Sequence, residues 1–232
     1  MTQEIMTDKV NMRAEETHPS TAGRWAAGED PAKRQQILDG AKRVFMKMGF
    51  DAASMNDVTR EAGVSKGTLY VYFDNKEELF TAMVENERAA FLASMRTTLA
   101  EHDDVEAGLY KFGMNFVTHM TDEKVISAMR TVLGVRDRMP ALCQRFLRGP
   151  ENLLTVVREF LTEHVAAGQL KIDDLDLAAG QFLDLASGGF FKLRLFGSME
   201  TAPSHQEIDR VITGAVRVFM AAYGVRHGQT EA

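Results

Sequence analysis

Between Ser54 and Phe73 the sequence lays out two short helices on either side of a glycine, and this spacing constrains the fold more than any other feature. Ser54-Met55-Asn56-Asp57 reads as a capping box with aspartate in the glutamate position. Met55, Val58 and Ala62 supply the apolar side of one helix, which Gly63 ends. Ser65 can cap the next, where Leu69 and Phe73 stand at i and i+4 on one side. Two such helices joined by Gly63-Val64-Ser65-Lys66 have the spacing of a helix-turn-helix. Gly63 suits the left-handed turn residue, and Val64 can bury between the helices.

The flanking sequence supports the same layout. Asp30-Pro31 is an N-cap followed by proline at the first helical position. Ile37, Leu38, Ala41, Val44, Phe45 and Met48 then form one apolar stripe, stopped by Gly49. Asn75-Lys76-Glu77-Glu78 begins a long fourth helix that Leu79, Phe80, Met83, Val84, Phe91 and Leu92 carry to about Leu99. Further helices are expected near 104–120, 122–138, 141–168, 174–196 and 205–223, with Gly149-Pro150 kinking or splitting the segment that holds it. The expectation is an all-α protein of about nine helices. A flexible leader would cover 1–29, and an N-terminal three-helix helix-turn-helix DNA-binding domain 30–80. A C-terminal helical domain would cover 81–232.

The third helix is too short to stand alone, so Leu69 and Phe73 would anchor it. That leaves Lys66, Gly67, Thr68, Tyr70 and Tyr72 on or near its outward face, a set chemically suited to a duplex. Lys66 and Lys76 can neutralise phosphates, and Thr68 and the tyrosine hydroxyls can donate to phosphate oxygens. The Tyr70 ring and Thr68 methyl can meet thymine methyls, while Gly67 lets the backbone approach closely. The N-termini of helices 2, 3 and 4 offer backbone N–H groups to phosphate, which brings the cap residues Ser54 and Ser65 into the set. The plainer alternative is a surface helix with its tyrosines packed sideways.

Charge is compatible with DNA although the chain carries a net −6. Residues 33–73 hold seven lysines and arginines against four acids, a local +3 on an otherwise acidic protein. In the leader, Arg13, Arg24 and Trp25 leave open a contact with the minor groove.

Other function classes find little support. Cys143 is the single cysteine, and the six histidines show no His-x-x-x-His pair, so no metal, cofactor or catalytic residue is expected. Asp173-Asp174 and Asp176 read as a helix start. No apolar run approaches the roughly 18 residues of a membrane span, and acids interrupt the N-terminus where a signal peptide would be basic then apolar. A soluble cytoplasmic protein is expected.

The continuous run from Ser54 through Gly63-Val64-Ser65-Lys66-Gly67-Thr68-Leu69-Tyr70-Val71-Tyr72-Phe73 to Leu79 resembles the signature of TetR-family regulators. Ile37 to Phe45 and Gly49-Phe50 match that family's first helix, so the resemblance covers roughly residues 33–80. It implies that Thr68, Tyr70 and Tyr72 make recognition-helix contacts, that Lys66 sits at the start of that helix, and that Lys76 clamps phosphate from the fourth. Family members often carry histidine where this chain has Tyr72.

From Met129 through Phe196 the sequence is similar to the C-terminal domain of AcrR- or AefR-type members. The matching features are Arg138-Met139-Pro140, Phe146, Gly149-Pro150, Ala167-Gly168-Gln169-Leu170 and Asp174 to Ala179. The resemblance implies that 81–232 is a C-terminal helical ligand-binding and dimerisation domain. It implies a homodimer closed by the last two helices, and Phe182, Leu185, Gly189, Leu193, Val211, Ala215, Val218 and Phe219 are expected at that seam. The alternative is that both helices are intramolecular core. An apolar or amphipathic effector would sit among Phe112, Phe116, Met120, Met129, Phe146, Phe160 and Phe182, residues that equally suit plain core. The expectation is a ligand-released repressor on a palindromic operator. The alternatives are a DNA-binding regulator or activator controlled by a protein partner, and a helical enzyme that merely retains the N-terminal fold.

Overall fold

A computed structural model describes residues 26–142, 144 and 151–225. Phe146 and Cys143, with Arg13, Arg24 and Trp25 of the expected leader, lie outside the described residues. Ten helices lie wholly within the described residues: α1 Pro31–Ala52, α2 Met55–Ala62, α3 Lys66–Tyr72, α4 Lys76–Ala100, α5 Val105–Thr121, α6 Glu123–Gly134, α7 Leu153–Ala166, α8 Leu175–Ser187, α9 Phe190–Leu195 and α10 His205–Tyr223. Nine of them start on a polar cap. Asp30, Ser54, Ser65, Asn75, Asp104, Asp122, Asn152, Asp174 and Ser204 each accept a first-turn N–H. Each cap contributes about 1 kcal/mol.

Two apolar clusters organise these helices. In the head, Ile37, Leu38, Val44, Phe45, Val58, Leu69, Phe73, Leu79 and Phe80 are buried together. Phe80 meets Phe45 edge-on at 5.1 Å and Phe50 at 5.0 Å, which fixes the start of α4 against α1. In the body, the second half of α4 packs with α5, α7, α8 and α10 around Leu109, Phe112, Leu161, Phe182 and Phe219. The long α4 belongs to both clusters and joins them.

Gly49, expected to stop the first helix, takes φ 75° and ψ 168° and kinks α1, which resumes to Ala52. Two further boundaries are misplaced by the sequence. A single helix over 174–196 is expected, but Gly188 and Gly189 both adopt positive φ and separate α8 from α9. A Cβ on Gly188 would lie 2.7 Å from Val211 Cγ1, so the break lets α8 and α10 approach within one protomer. The helix expected over 122–138 ends at Gly134, because Val135 and Leu142 turn inward and bury in the head cluster with Val132. The body thus reaches the head through α6 as well as α4.

Buried Arg194 secures the short α9. Its guanidinium donates to the carbonyls of Thr121 at 3.2 Å and Met199 at 3.0 Å and pairs with Glu123. Arg130 of α6 donates to the Arg194 carbonyl at 2.8 Å. These bonds hold out Phe196, the residue after α9, with 80% of its surface exposed.

Candidate DNA interface

The turn before α3 is built as its residues dictate. Gly63 takes φ 65° and ψ 38°, the left-handed conformation that costs other residues more. Ser65 Oγ accepts the Thr68 N–H at 3.0 Å and bonds the Thr68 hydroxyl at 2.8 Å. Leu69 is fully buried and Phe73 nearly so, which locks the seven-residue α3 onto the head. Truncating a buried leucine of this kind costs about 2–5 kcal/mol.

Helix α2 crosses α1 closely. A Cβ on Gly40 would stand 2.6 Å from the Ala62 Cβ. Gln36 donates to the Ala62 carbonyl at 2.6 Å, and Arg43 pairs with Glu61 at 2.5 Å. At the other end Ser54 is committed to its capping box. Asp57 N–H donates to Ser54 Oγ at 3.2 Å, and the Ser54 N–H donates to the Asp57 carboxylate at 3.1 Å. The Ser54 hydroxyl and then its backbone N–H hold the Asp57 carboxyl below the usual carboxylate range.

The outward face of α3 presents Lys66, Gly67 and Tyr70, all exposed, with Thr68 half-buried at its edge. Lys66 Nζ lies 5.8 Å from the centre of the Tyr70 ring, and among the described residues it pairs with no carboxylate. A Cβ on Gly67 would meet nothing closer than Ser65 Oγ at 3.8 Å, so the space beside it is open. Sequence reasoning missed Val71, which is 51% exposed on the same face. Its position four residues after Gly67 was the available signal. This surface offers a cation, two hydroxyls, an aromatic ring and a bare backbone within two helical turns. That set is equipped to grip phosphate and read base edges, not to break bonds.

Two expected contacts are placed otherwise. Tyr72 is half-buried and its hydroxyl donates to the Asp30 carbonyl at 3.3 Å, because α3 turns that side chain towards the start of α1. Lys76 does not point its charge at an empty face either. Its ammonium donates to the carbonyls of Phe50 at 2.9 Å, Ala53 at 3.0 Å and Asp51 at 3.4 Å, and it lies 4.5 Å from the Phe50 ring centre. Those carbonyls close the end of α1, and a lysine has three N–H groups to give.

In the body, the residues expected at the seam divide. Phe182, Ala215 and Phe219 are buried in the protomer's own core, where Phe182 and Phe219 meet at 5.5 Å, and so offer no surface to a second copy. Leu185, Leu193 and Val218 are exposed, alongside Leu177 and Phe196; Val211 and Gly189 are half-buried. Of the expected pocket residues, Phe112, Phe116, Phe160 and Phe182 are buried, while Met120 and Met129 are half-buried. The rings meet one another: Phe112 lies 5.9 Å from Phe116 and 6.1 Å from Phe182. A Cβ on Gly108 would fall 2.7 Å from Phe160. Among the described residues no cluster of histidine, cysteine and acids is arranged to hold a metal, and no helix is long and apolar enough to cross a membrane.

Comparison with known proteins agrees with this geometry. Residues 37–83 match the tetR family of bacterial regulatory proteins, and residues 107–225, over half of the chain, match the C-terminal domain of AefR-like transcriptional repressors. The regulator SrpR of Pseudomonas putida is 25% identical over 193 residues, covering 83% of this chain and 87% of its own. A TetR-family regulator from Mesorhizobium loti superposes with a TM-score of 0.75 at 27% identity, over 84% of this chain and 98% of its own. The flavonoid-responsive regulator FrrA superposes with a TM-score of 0.67 at 29% identity, over 84% of this chain and 99% of its own. These relatives are regulators of transcription and not enzymes. With its helix-turn-helix head and its AefR-like body, the chain belongs to the TetR family of DNA-binding transcriptional regulators.

Proposed function

We propose that the chain acts in the cytoplasm as a homodimeric repressor that occupies a palindromic operator through α3 and leaves it when a small molecule binds the body. The observation that carries this reading is the open set Lys66, Gly67, Tyr70 on a helix whose inner side is locked by Leu69 and Phe73. In it Lys66 neutralises phosphate, Thr68 and Tyr70 meet bases or phosphate oxygens, and Ser54 and Ser65 flank them at the helix caps. Leu185, Leu193 and Val218, with Leu177 and Phe196, form the apolar seam, since exposed large side chains on adjoining helices call for a covering surface.

An apolar or amphipathic effector suits the aromatic and methionine side chains gathered in the body and the name of the flavonoid-responsive relative. Such a ligand releases DNA only by binding better to a head spacing that no longer matches successive major grooves, about 34–36 Å apart. Helix α4 is one lever between body and head. The turn after α6 is a second, with Arg138 paired to Asp51 and lying 5.4 Å from the Phe50 ring centre.

The test is a mobility-shift titration of Tyr70→Ala and Lys66→Ala against a selected operator, followed by calorimetry of the releasing compound with and without operator. Tyr70→Ala should lose about 1–3 kcal/mol selectively on the operator. Effector and operator should weaken each other by the same factor. Unchanged operator affinity in both variants removes α3 from the interface. Equal effector affinity with and without DNA refutes ligand release.

The ring-on-ring packing of Phe112, Phe116 and Phe182 favours a second reading, a DNA-binding regulator or activator governed by a protein partner without a small ligand. Failure of every apolar compound to release the operator would make it the better one.

A further inference from the structure

Three successive residues at the end of α3 meet the segment that precedes and begins α1. Residues 26–29 form a turn closed by the Glu29 N–H on the Ala26 carbonyl at 3.1 Å. Gly28 in this turn has φ 88°, and a Cβ there would stand 3.2 Å from the Val71 carbonyl oxygen and 3.3 Å from Val71 Cγ1. Tyr72 donates its hydroxyl to the Asp30 carbonyl, and the Arg34 guanidinium lies 5.4 Å from the centre of the Phe73 ring. A seven-residue helix has few bonds of its own to keep its C-terminal end in place. Leu69 and Phe73 hold its inner side, and the segment 26–30 abuts its C-terminal end at Val71 and Tyr72.

From these contacts we infer that residues 26–30 brace the recognition helix, and that Gly28 and Tyr72 are positioning residues for operator recognition that do not touch DNA. The inference rests on the assignment of α3 to the operator. It replaces the phosphate contact expected of Tyr72 with an internal one. Gly28 is required twice over: its φ is one that side chains rarely adopt, and the Val71 carbonyl leaves little room for a methyl. A brace matters most where several contacts must align at once. Its loss therefore falls on the specific complex, while loose phosphate binding tolerates a tilted helix.

The experiment compares the full-length protein with Gly28→Ala, Tyr72→Phe and the double variant. Anisotropy gives affinity for a selected operator and for an unrelated duplex of equal length; hydrogen exchange follows the amides of Leu69–Phe73 without DNA. Tyr72→Phe should bind the operator about two- to tenfold more weakly, the range that one hydrogen bond supplies. Gly28→Ala should weaken operator binding in the same direction through strain at its positive φ. The unrelated duplex should be bound as before, and the α3 amides should exchange faster. The double variant should be no weaker than about the worse single, because both changes release the same brace. Additive losses of equal size on both duplexes would place Tyr72 on the DNA and overturn the inference. Unchanged exchange and operator affinity in Gly28→Ala would overturn it too. If the wild-type protein selects no duplex, the assignment of α3 falls, and the exchange comparison still decides the brace.

Discussion

Replacing Gly67 with alanine should make the free protein more stable and its complex with DNA weaker. Gly67 lies in the first turn of α3, where alanine gains roughly 0.5 kcal/mol over glycine from helix propensity. The nearest atom to the new methyl is Ser65 Oγ at 3.8 Å, an ordinary contact, so nothing in the free protein offsets that gain. In the complex the methyl projects from the face assigned to the duplex. Crowding a packed interface by one methyl costs about 1–3 kcal/mol, and the proposed homodimer would meet the cost at both half-sites. The control is Gly40→Ala, the same chemical change at a filled site. There the methyl would stand 2.6 Å from the Ala62 Cβ and 2.8 Å from its Cα, so overpacking outweighs a propensity gain of about 1 kcal/mol. Urea unfolding gives the stabilities, and anisotropy on the selected operator gives the affinities. A Gly67→Ala protein that binds operator like the wild type would refute the placement of DNA against α3.

Three other outcomes follow from the geometry. Lys66→Ala should weaken binding to all duplexes and lower the salt slope by about 1 per half-site, whereas Lys76→Ala should leave the slope alone and cost about 1–3 kcal/mol of stability through the α1 carbonyls it deserts. Leu193→Asp should give monomers by analytical ultracentrifugation, since it adds a charge to the exposed apolar stripe; it is a cleaner probe than Gly189, whose positive φ would strain any side chain. Asp57 has its folded pKa lowered from about 3.8, so its share of stability is present above that value and lost as pH falls through the depressed one; Asp57→Asn should flatten that limb of the acid-unfolding curve.

Much of the fold was legible because local chemistry settled it. Asp30-Pro31, the Ser54–Asp57 box and Gly63 specify their helix ends through bonds to residues no more than four apart, and the structure places those ends where the sequence does. What depends on distant partners was not legible. Tyr72 sits at a spacing that suits an outward residue, yet its bond goes to Asp30, 42 residues earlier. Lys76 likewise looks like a free cation until the end of α1 is folded against it. Phe182 and Phe219 share an apolar pattern with Leu185 and Val218, and periodicity cannot say which of them faces the protomer's own core and which faces out. The break at Gly188-Gly189 was not expected in 174–196, because the approach to Val211 that explains it is tertiary.

Two copies that read duplex DNA with the exposed face of α3 should prefer a sequence carrying their own symmetry. Selection of bound fragments from a random duplex pool, run in parallel with the wild type and a Lys66→Ala, Tyr70→Ala double variant, tests it most directly. The wild type should enrich an inverted repeat whose half-sites lie about one helical turn, or a multiple of it, apart. The double variant should lose that enrichment while keeping the fold, as judged by its urea transition. Enrichment of the same sequence by the variant, or of no sequence by the wild type, would remove α3 from the DNA.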